Sequence, residues 1–343
     1  MTIEKRLFGR TSDGKNVDCY TLEDAGYSME VLTYGGAIRS LVVPIHGGVR
    51  DVALGFDDVA AYEAHTCFFG AIIGRVANRI GGASFSLNGK EYIIEKNDGP
   101  NSLHGGYRGF DKQVWQARID ADALVLTYTE KGKEHGYPGE LSAEVRYSLQ
   151  NGIVLIDYKA TCDEDTPINL TNHNYFNLGG HNSGGIEGHK LQIIADFITP
   201  IDDTLIPTGE LMDVKGTPLD FTKPRTIGDD IDSSNEQIKL GGGYDHNFVL
   251  SKETVRNLSL AAELEFDGLK MQCLTTLPGV QFYSGNFLTD MDGKAGAKYK
   301  KRSGLCLETQ SWPDAVNKPE FPSCILKKGE EYRHTTQYGF KKV

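Results

Sequence analysis

The chain has 343 residues, of which 39% are hydrophobic and 24% charged, a balance that is typical of globular proteins rather than disordered ones. Its formal net charge of −11 argues against a nucleic-acid partner, because a phosphate backbone is bound by clustered Lys and Arg. No apolar run approaches the roughly 20 residues of a membrane-spanning helix, so no membrane partner is expected.

Antiparallel β-structure is the dominant signal along the chain. Asn-Gly and Asp-Gly pairs interrupt an apolar–polar alternation, and they accept the positive φ angles of two-residue hairpin turns. In chain order the sequence predicts a short helix at 57–64 and hairpins of 83–87 with 91–94, 141–149 with 153–160, and 260–266 with 269–274. With no linker or repeat, this pattern predicts one all-β domain over residues 1–343, a large antiparallel β-sandwich. The stretches 251–257 and 290–302 are expected at the surface.

Cysteine usage bears on the cellular compartment. The six cysteines lie far apart and form no CxxC pair, which predicts free thiols in a reducing environment. The first residues, MTIEKR, lack the apolar stretch of a secretory signal. Both features favour the cytoplasm.

Several common catalytic motifs are absent from the sequence. It contains no GxGxxG after a strand, no P-loop, no GxSxG and no HExxH. His181 and His189 lie in a Gly- and Asn-rich loop, where a metal role is disfavoured. We therefore expect chemistry from ordinary side chains, without a cofactor or a metal.

Polar segments supply the candidate catalytic groups. Glu308 follows the apolar run Leu305-Cys306-Leu307, so partial burial would raise its pKa and suit it to act as a general base. A salt-bridged strand-end glutamate is the alternative. His173, in a strip of Asn and Tyr residues, could carry a proton near neutral pH or simply bond a carbonyl group.

Other polar and aromatic residues leave two interpretations open. His104 precedes two glycines that would let the backbone approach a ligand, but it could be a turn residue. Arg79 could donate to ligand hydroxyl groups, or it could pair with a structural carboxylate. Asp245 could accept from hydroxyl groups, or it could stabilise a turn. Trp312 and Phe282 could stack on a sugar, although most such aromatics belong to the core.

Taken together, six segments resemble the galactose mutarotase (aldose 1-epimerase) family. They are GRVANRI (74–80), NSLHGG (101–106), TNHNYFNL (171–178), DHNF (245–248), QFYSGNF (281–287) and LETQSWPDA (307–315). They occur in the family's order and span nearly the whole chain, without a departure from its catalytic pattern. The resemblance implies a single large antiparallel β-sandwich with an open cleft.

The resemblance also implies roles for individual residues. Glu308 matches the general base and His173 the general acid, while His104 matches a histidine near the reacting centre. The positions implied to contact or adjoin the sugar are Asn78, Arg79, His104, His173, Tyr175, Asp245 and Gln281. The implied reaction opens and closes the ring of a free hexose, galactose or glucose, starting from ionised Glu308 and protonated His173.

Three other functions stay open at this point, as does the assembly of the chain as a monomer or a homodimer. A glycoside hydrolase would need two carboxylates flanking the bond. A sugar-binding or regulatory protein would lack catalysis. An epimerase for phosphorylated sugars would need an additional basic cluster.

Overall fold

Short antiparallel strands make up most of the regular structure. The structure is a computed structural model that describes residues 1–250 and 257–343. Its strands are β1 (Thr2–Arg10), β2 (Asn16–Asp24), β3 (Tyr27–Leu32), β4 (Ile38–Ile45), β5 (Gly48–Asp51), β6 (Ile72–Ile73), β7 (Arg79–Ile80), β8 (Ser84–Leu87), β9 (Lys90–Ile93), β10 (Ser102–Leu103), β11 (Gln116–Asp120), β12 (Ala123–Glu130), β13 (Leu141–Gln150), β14 (Ile153–Cys162), β15 (Thr166–Pro167), β16 (Thr171–Asn172), β17 (Lys190–Ile193), β18 (Phe197–Thr199), β19 (Met212–Asp213), β20 (Arg225–Thr226), β21 (Asp245–Val249), β22 (Ser259–Phe266), β23 (Leu269–Thr275), β24 (Gly279–Tyr283), β25 (Met291–Asp292), β26 (Lys298–Tyr299), β27 (Cys306–Gln310), β28 (Ile325–Leu326) and β29 (Glu331–Lys342).

Three larger sheets organise these strands. A nine-stranded sheet has the order β11-β12-β13-β14-β29-β23-β22-β17-β20. One five-stranded sheet runs β1 to β5 in sequence, and the other has the order β19-β18-β21-β24-β27. The remaining strands form two-stranded ladders, including β10-β7 and β16-β6. All these pairings are antiparallel, so the predicted all-β antiparallel fold is confirmed.

The three predicted hairpins are present, with ends that shift by one or two residues. β8 pairs with β9, β13 with β14, and β22 with β23, each across a two-residue turn. The first turn residues, Asn88, Asn151 and Asp267, have φ angles of 54°, 49° and 45°. Asn and Asp tolerate this left-handed conformation, which explains why the local sequence identified the turns.

Two short α-helices lie within the described residues. The predicted helix is α1 (Val59–Ala64), where the Asp58 side chain accepts a hydrogen bond from the Ala61 N–H. The second helix, α2 (Glu236–Gly241), was not predicted; the Asn235 side chain caps it by accepting a hydrogen bond from the Gln237 N–H. No helix of the described residues has the length and apolar character needed to cross a membrane.

The main core follows from period-2 alternation. Along β13, Leu141, Val145 and Leu149 are buried, whereas Ser142 and Gln150 are exposed. These apolar faces join side chains from both other large sheets in one hydrophobic cluster. That packing leaves the opposite face of the β21-β24-β27 sheet free to carry polar groups.

The two stretches expected at the surface have different outcomes. Residues 251–256 lie outside the described residues. The 290–302 stretch is only partly exposed, because Lys294 and Tyr299 are buried. The Lys294 ammonium lies 2.6 Å from the Asp51 carboxylate and donates to the Arg39 carbonyl, so this stretch is tied to the first sheet.

Candidate active site

A cavity of about 540 Å³ opens beside the ends of β7, β10, β16, β21 and β27. Its size falls in the usual range for small-molecule sites. Seven of the eight predicted site residues line it, although they come from distant parts of the sequence: Asn78, Arg79, His104, His173, Tyr175, Asp245 and Glu308.

Glu308 faces the cavity because of the alternation along β27. Leu307 points into the main core, whereas Cys306 and Glu308 point to the opposite side. Glu308 is 2% exposed, and among the described residues no donor reaches its Oε2. Burial and the nearby Asp245 charge raise the pKa of Glu308 well above 4.5, while Arg79 opposes the shift. Among the described residues no Lys or Arg side chain pairs with Glu308, and its ion-pair neighbour is His173.

His173 directly follows β16 and faces Glu308 across the site. Its Nε2 lies 3.6 Å from Oε1 of Glu308, and its ring stacks on Tyr175 with centroids 5.1 Å apart. Burial lowers the pKa of His173 from 6.5 to about 4. The resemblance implies a protonated His173, but the loss of hydration favours the neutral ring and outweighs the hydrogen bond to the backbone of His173 itself, which acts in the other direction.

His104 has a fixed proton position. Its Nδ1 accepts a hydrogen bond from the Asn78 N–H at 3.1 Å, so neutral His104 must carry its proton on Nε2. Burial, together with the charges of His173 and Arg79, lowers the pKa of His104 well below 6.5. A Cβ at Gly105 would lie 2.0 Å from the Gly74 carbonyl oxygen, so glycine permits this close packing. His104 is therefore a neutral N–H donor.

Strand pairing fixes the backbone of Arg79, and an ion pair fixes its side chain. Its backbone lies opposite Leu103 in the β7-β10 ladder, and its Nε donates to Asp98 Oδ2 at 2.7 Å. Asp98 also lines the cavity, yet the sequence analysis did not identify it. The carboxylate partner considered for Arg79 therefore exists, and it lies within the site. Asn78 accepts the Arg79 N–H through Oδ1 at 2.8 Å.

Gln281 lies behind the cavity rather than in its lining. It stands opposite Glu308 in the β24-β27 ladder, and its amide donates to Asp245 Oδ1 at 2.7 Å. Burial raises the pKa of Asp245, while Arg79 and the Gln281 hydrogen bond act in the other direction. A direct sugar contact was implied for Gln281, but the structure gives it a supporting position behind Asp245.

Phe68 is a site residue that sequence reasoning missed. Its ring packs against His104 and His173, with centroid distances of 4.7 and 5.5 Å. Its φ is 58°, an uncommon backbone conformation for a bulky residue. Lys112 supports the preceding loop by donating to the Tyr62 and His65 carbonyls, both at 2.8 Å. No local sequence motif predicts that Phe68 packs against these histidines, because the contact depends on tertiary structure.

Other candidates lie outside the cavity. Phe282 and Trp312 belong to hydrophobic clusters, so the core interpretation holds for both. His189 accepts the Leu178 N–H, and His181 contacts the Tyr299 hydroxyl at 3.0 Å. These two histidines have structural partners of their own.

The catalytic candidates themselves form a close cluster. His104, His173 and Glu308 each offer one atom within 4.8 Å of the others, a spacing that could surround a metal ion. The sequence analysis found no close ligand set, because these residues are far apart along the chain. Ligand chemistry must therefore decide whether a metal fits.

Comparisons with known proteins identify the family. The family model for aldose 1-epimerase matches residues 18–339. The chain belongs to the aldose 1-epimerase family. It is 43% identical to galactose mutarotase of Bos taurus, covering 99% of each chain, and 37% identical to aldose 1-epimerase of Escherichia coli strain K12, covering 96% of each.

A solved structure extends the comparison to the fold. Galactose 1-epimerase from Lactobacillus acidophilus superimposes with a TM-score of 0.87 at 28% identity, covering 99% of each chain. The predicted family and aldose 1-epimerase activity are thus confirmed. The glycoside hydrolase and non-catalytic alternatives are set aside.

Proposed function

We propose that this chain interconverts the α and β anomers of free hexoses, D-galactose and D-glucose, with Glu308 and His173 as base and acid. The observation that carries the proposal is the separation of 3.6 Å between Glu308 Oε1 and His173 Nε2 in a buried cavity wall. Two titratable groups at this distance can serve the C1 hydroxyl and the ring oxygen of one pyranose. The relatives named galactose mutarotase support galactose as a substrate.

Ring opening requires two proton transfers. Ionised Glu308 takes the proton of the C1 hydroxyl, and protonated His173 gives the proton on Nε2 to the ring oxygen. The C1–O5 bond breaks as the C1 carbonyl forms. After rotation about C1–C2, the O5 hydroxyl attacks the other carbonyl face, and both protons return. Each positioned acid or base typically contributes about 10²–10⁴-fold to the rate.

The remaining polar groups bind and orient the sugar. His104 offers a neutral Nε2–H donor to an oxygen on which charge develops. Arg79 offers the outer nitrogens of its guanidinium, because Asp98 occupies Nε. Asp245 accepts from a sugar hydroxyl while Gln281 keeps its carboxylate in place. Asn78 and Tyr175 complete this polar wall beside the two histidines.

The proposal requires no metal, and the hydrogen bonds of His104 support this choice. A metal binds the unprotonated nitrogen of a neutral imidazole. In His104, Nδ1 is occupied by the Asn78 N–H and Nε2 carries the proton. Ligation through Nε2 would move the proton to Nδ1, against another donor. His173 and Glu308 alone form an incomplete ligand set.

The cavity fits a neutral sugar better than a phosphorylated one. Arg79 is the single Lys or Arg among the described lining residues, and Asp98 already pairs with it. A phosphate would also face Glu308 and Asp245. The free thiols of all six cysteines suit the cytoplasm, where we place the chain as a monomer or homodimer.

Polarimetry tests the proposal directly. Fresh α-D-galactose and α-D-glucose should reach rotational equilibrium faster with the protein than with buffer alone. Glu308→Gln should reduce turnover by at least tenfold while the protein stays folded, because the amide keeps the shape but accepts no proton. Glu144→Gln, on the half-exposed β13, is the matched control. A Glu308→Gln variant with more than about a tenth of wild-type turnover contradicts the assignment of the base.

A further inference from the structure

His173 has a second polar neighbour that the proposed mechanism does not use. Its Nδ1 lies 3.5 Å from the Cys306 sulfur, within hydrogen-bond range for sulfur. The two side chains are buried, with 4% and 0% of their surface exposed. Because Cys306 and Glu308 are two residues apart on β27, they point to the same side. One strand thus presents a thiol to Nδ1 and a carboxyl group to Nε2 of the same ring.

The state of Nδ1 determines what Nε2 can do. If Nε2 gives a proton to the sugar and later recovers it, Nδ1 must keep its own proton throughout. Which nitrogen of a neutral imidazole carries the proton is set by the hydrogen bond of the other one. The backbone of His173 is already fixed, because its N–H donates to Ala71 and its carbonyl accepts from Gly70. Within the described residues the Cys306 thiol is the side-chain neighbour of Nδ1, and the backbone of His173 itself also forms a hydrogen bond with the ring.

We propose that Cys306 is a positioning residue whose sulfur accepts a hydrogen bond from His173 Nδ1–H and so reserves Nε2 for proton transfer. The inference rests on the proposed role of His173 as the acid. Burial keeps the pKa of the Cys306 thiol well above 9.0, so the acceptor is neutral. A neutral acceptor orients the ring without the additional stabilisation that a carboxylate gives to an imidazolium. His173 therefore remains a strong acid.

The groups that face His173 define what else could influence it. Glu308 and Cys306 approach from β27, His104 from the loop after β10, and Tyr283 from β24. Tyr175, on the same loop as His173, stacks on the ring, and Phe68 covers it. Of these, Cys306 is the group that contacts Nδ1.

Nitrogen NMR of the full chain tests the proton position without using activity. In protein labelled with ¹⁵N-histidine and free of sugar at pH 7.5, neutral His173 should carry its proton on Nδ1. The His173→Asn spectrum identifies the signal by its loss. Cys306→Ala should move the proton partly or fully to Nε2, and Cys306→Ser should retain the wild-type state. A wild-type His173 with the proton on Nε2, or an unchanged state in Cys306→Ala, overturns the proposal.

Kinetics provide the second readout. Cys306→Ala should lower kcat about 3- to 10-fold, the change expected for one neutral hydrogen bond, and leave KM unchanged because Cys306 does not line the cavity. Cys306→Ser should restore most of kcat. Cys273→Ala, a buried cysteine in β23, controls for the loss of a core thiol. An equal loss in the Cys273 variant, or a change in KM alone, contradicts the positioning role. Absence of mutarotation in the wild type would instead refute the proposed function, while the NMR result would stand.

Discussion

Activity should depend on pH through a single proton that Glu308 and His173 hold between them. Burial raises the pKa of Glu308 well above 4.5 and lowers that of His173 to about 4. Without substrate, the singly protonated pair therefore keeps its proton mainly on Glu308. Catalysis needs the same proton on His173, whose Nε2 is 3.6 Å away. The reactive form, with the proton on His173 and Glu308 ionised, is therefore the less populated of two arrangements that have the same net charge.

Each limb of the profile of kcat/KM, which reports on the free enzyme, follows from this arrangement. As pH falls through about 4, the His173 ring becomes protonated while Glu308 is still protonated. The pair then carries two protons, and no ionised carboxylate is left to act as the base. As pH rises through the raised pKa of Glu308, the last proton leaves, so the pair lacks an acid. The acid limb therefore follows His173 and the alkaline limb Glu308. Ordinary pKa values would give the opposite assignment, with the acid limb due to Glu308 and the alkaline limb due to His173.

Variants of the two histidines separate their roles. His173→Asn should slow turnover by roughly 10²–10⁴-fold and remove the alkaline limb, because Glu308 alone becomes active as it ionises. His104→Asn should also slow turnover but keep both limbs, because the two limbs follow His173 and Glu308 and burial lowers the pKa of His104 well below 6.5. The assay is polarimetry with galactose from pH 3 to pH 10, so that both limbs are covered, after subtraction of the buffer-catalysed rate. If the alkaline limb survives in His173→Asn and disappears in His104→Asn, the acid is assigned to the wrong histidine.

Two further predictions concern metal and stability. EDTA should leave turnover unchanged, because the Asn78 N–H occupies Nδ1 of His104 and so opposes metal binding by that ring. Loss of activity in EDTA that is restored by one divalent ion would refute the metal-free mechanism. Asp111 is buried, burial raises its pKa from 3.8 to about 7, and its Oδ1 has no hydrogen-bond partner among the described residues. The folded state therefore retains a proton that the unfolded state loses as pH rises from about 4 to 7. Asp111→Asn should raise the free energy of unfolding by up to about 4 kcal/mol at pH 8 and by little at pH 4, as measured by urea denaturation. Equal effects at both pH values would contradict the burial argument.

Features that depend on neighbouring residues could be predicted from the sequence. Each hairpin turn has an Asn or Asp at positive φ followed by Gly, a pair that is visible directly in the sequence. The burial of Glu308 was expected because it follows the apolar run Leu305-Cys306-Leu307. The resemblance of six ordered segments then implied the fold and the catalytic pair.

Features created by tertiary packing could not be predicted in the same way. Phe68 contacts both histidines, and no spacing between these residues in the sequence encodes that contact. Asp98 enters the site through its bond to Arg79. Gln281 matched a sugar-contacting position, yet the register with Glu308 places its amide behind Asp245. The lowered pKa of His173 likewise depends on how completely the fold excludes water from that ring.

The same residue type serves two different purposes in this site because the partner at Nδ1 differs. The Asn78 N–H at Nδ1 of His104 can only donate, which fixes the proton on Nε2 and opposes a second proton. The Cys306 sulfur at Nδ1 of His173 can accept, which leaves Nε2 able to gain and lose a proton. A sugar oxygen near His104 therefore faces an N–H donor at all times. A sugar oxygen near His173 faces a nitrogen that can be either protonated or unprotonated. In the proposed mechanism the two histidines therefore have different tasks, since His173 must act as an acid and then as a base while His104 stabilises the charge on the developing oxygen throughout.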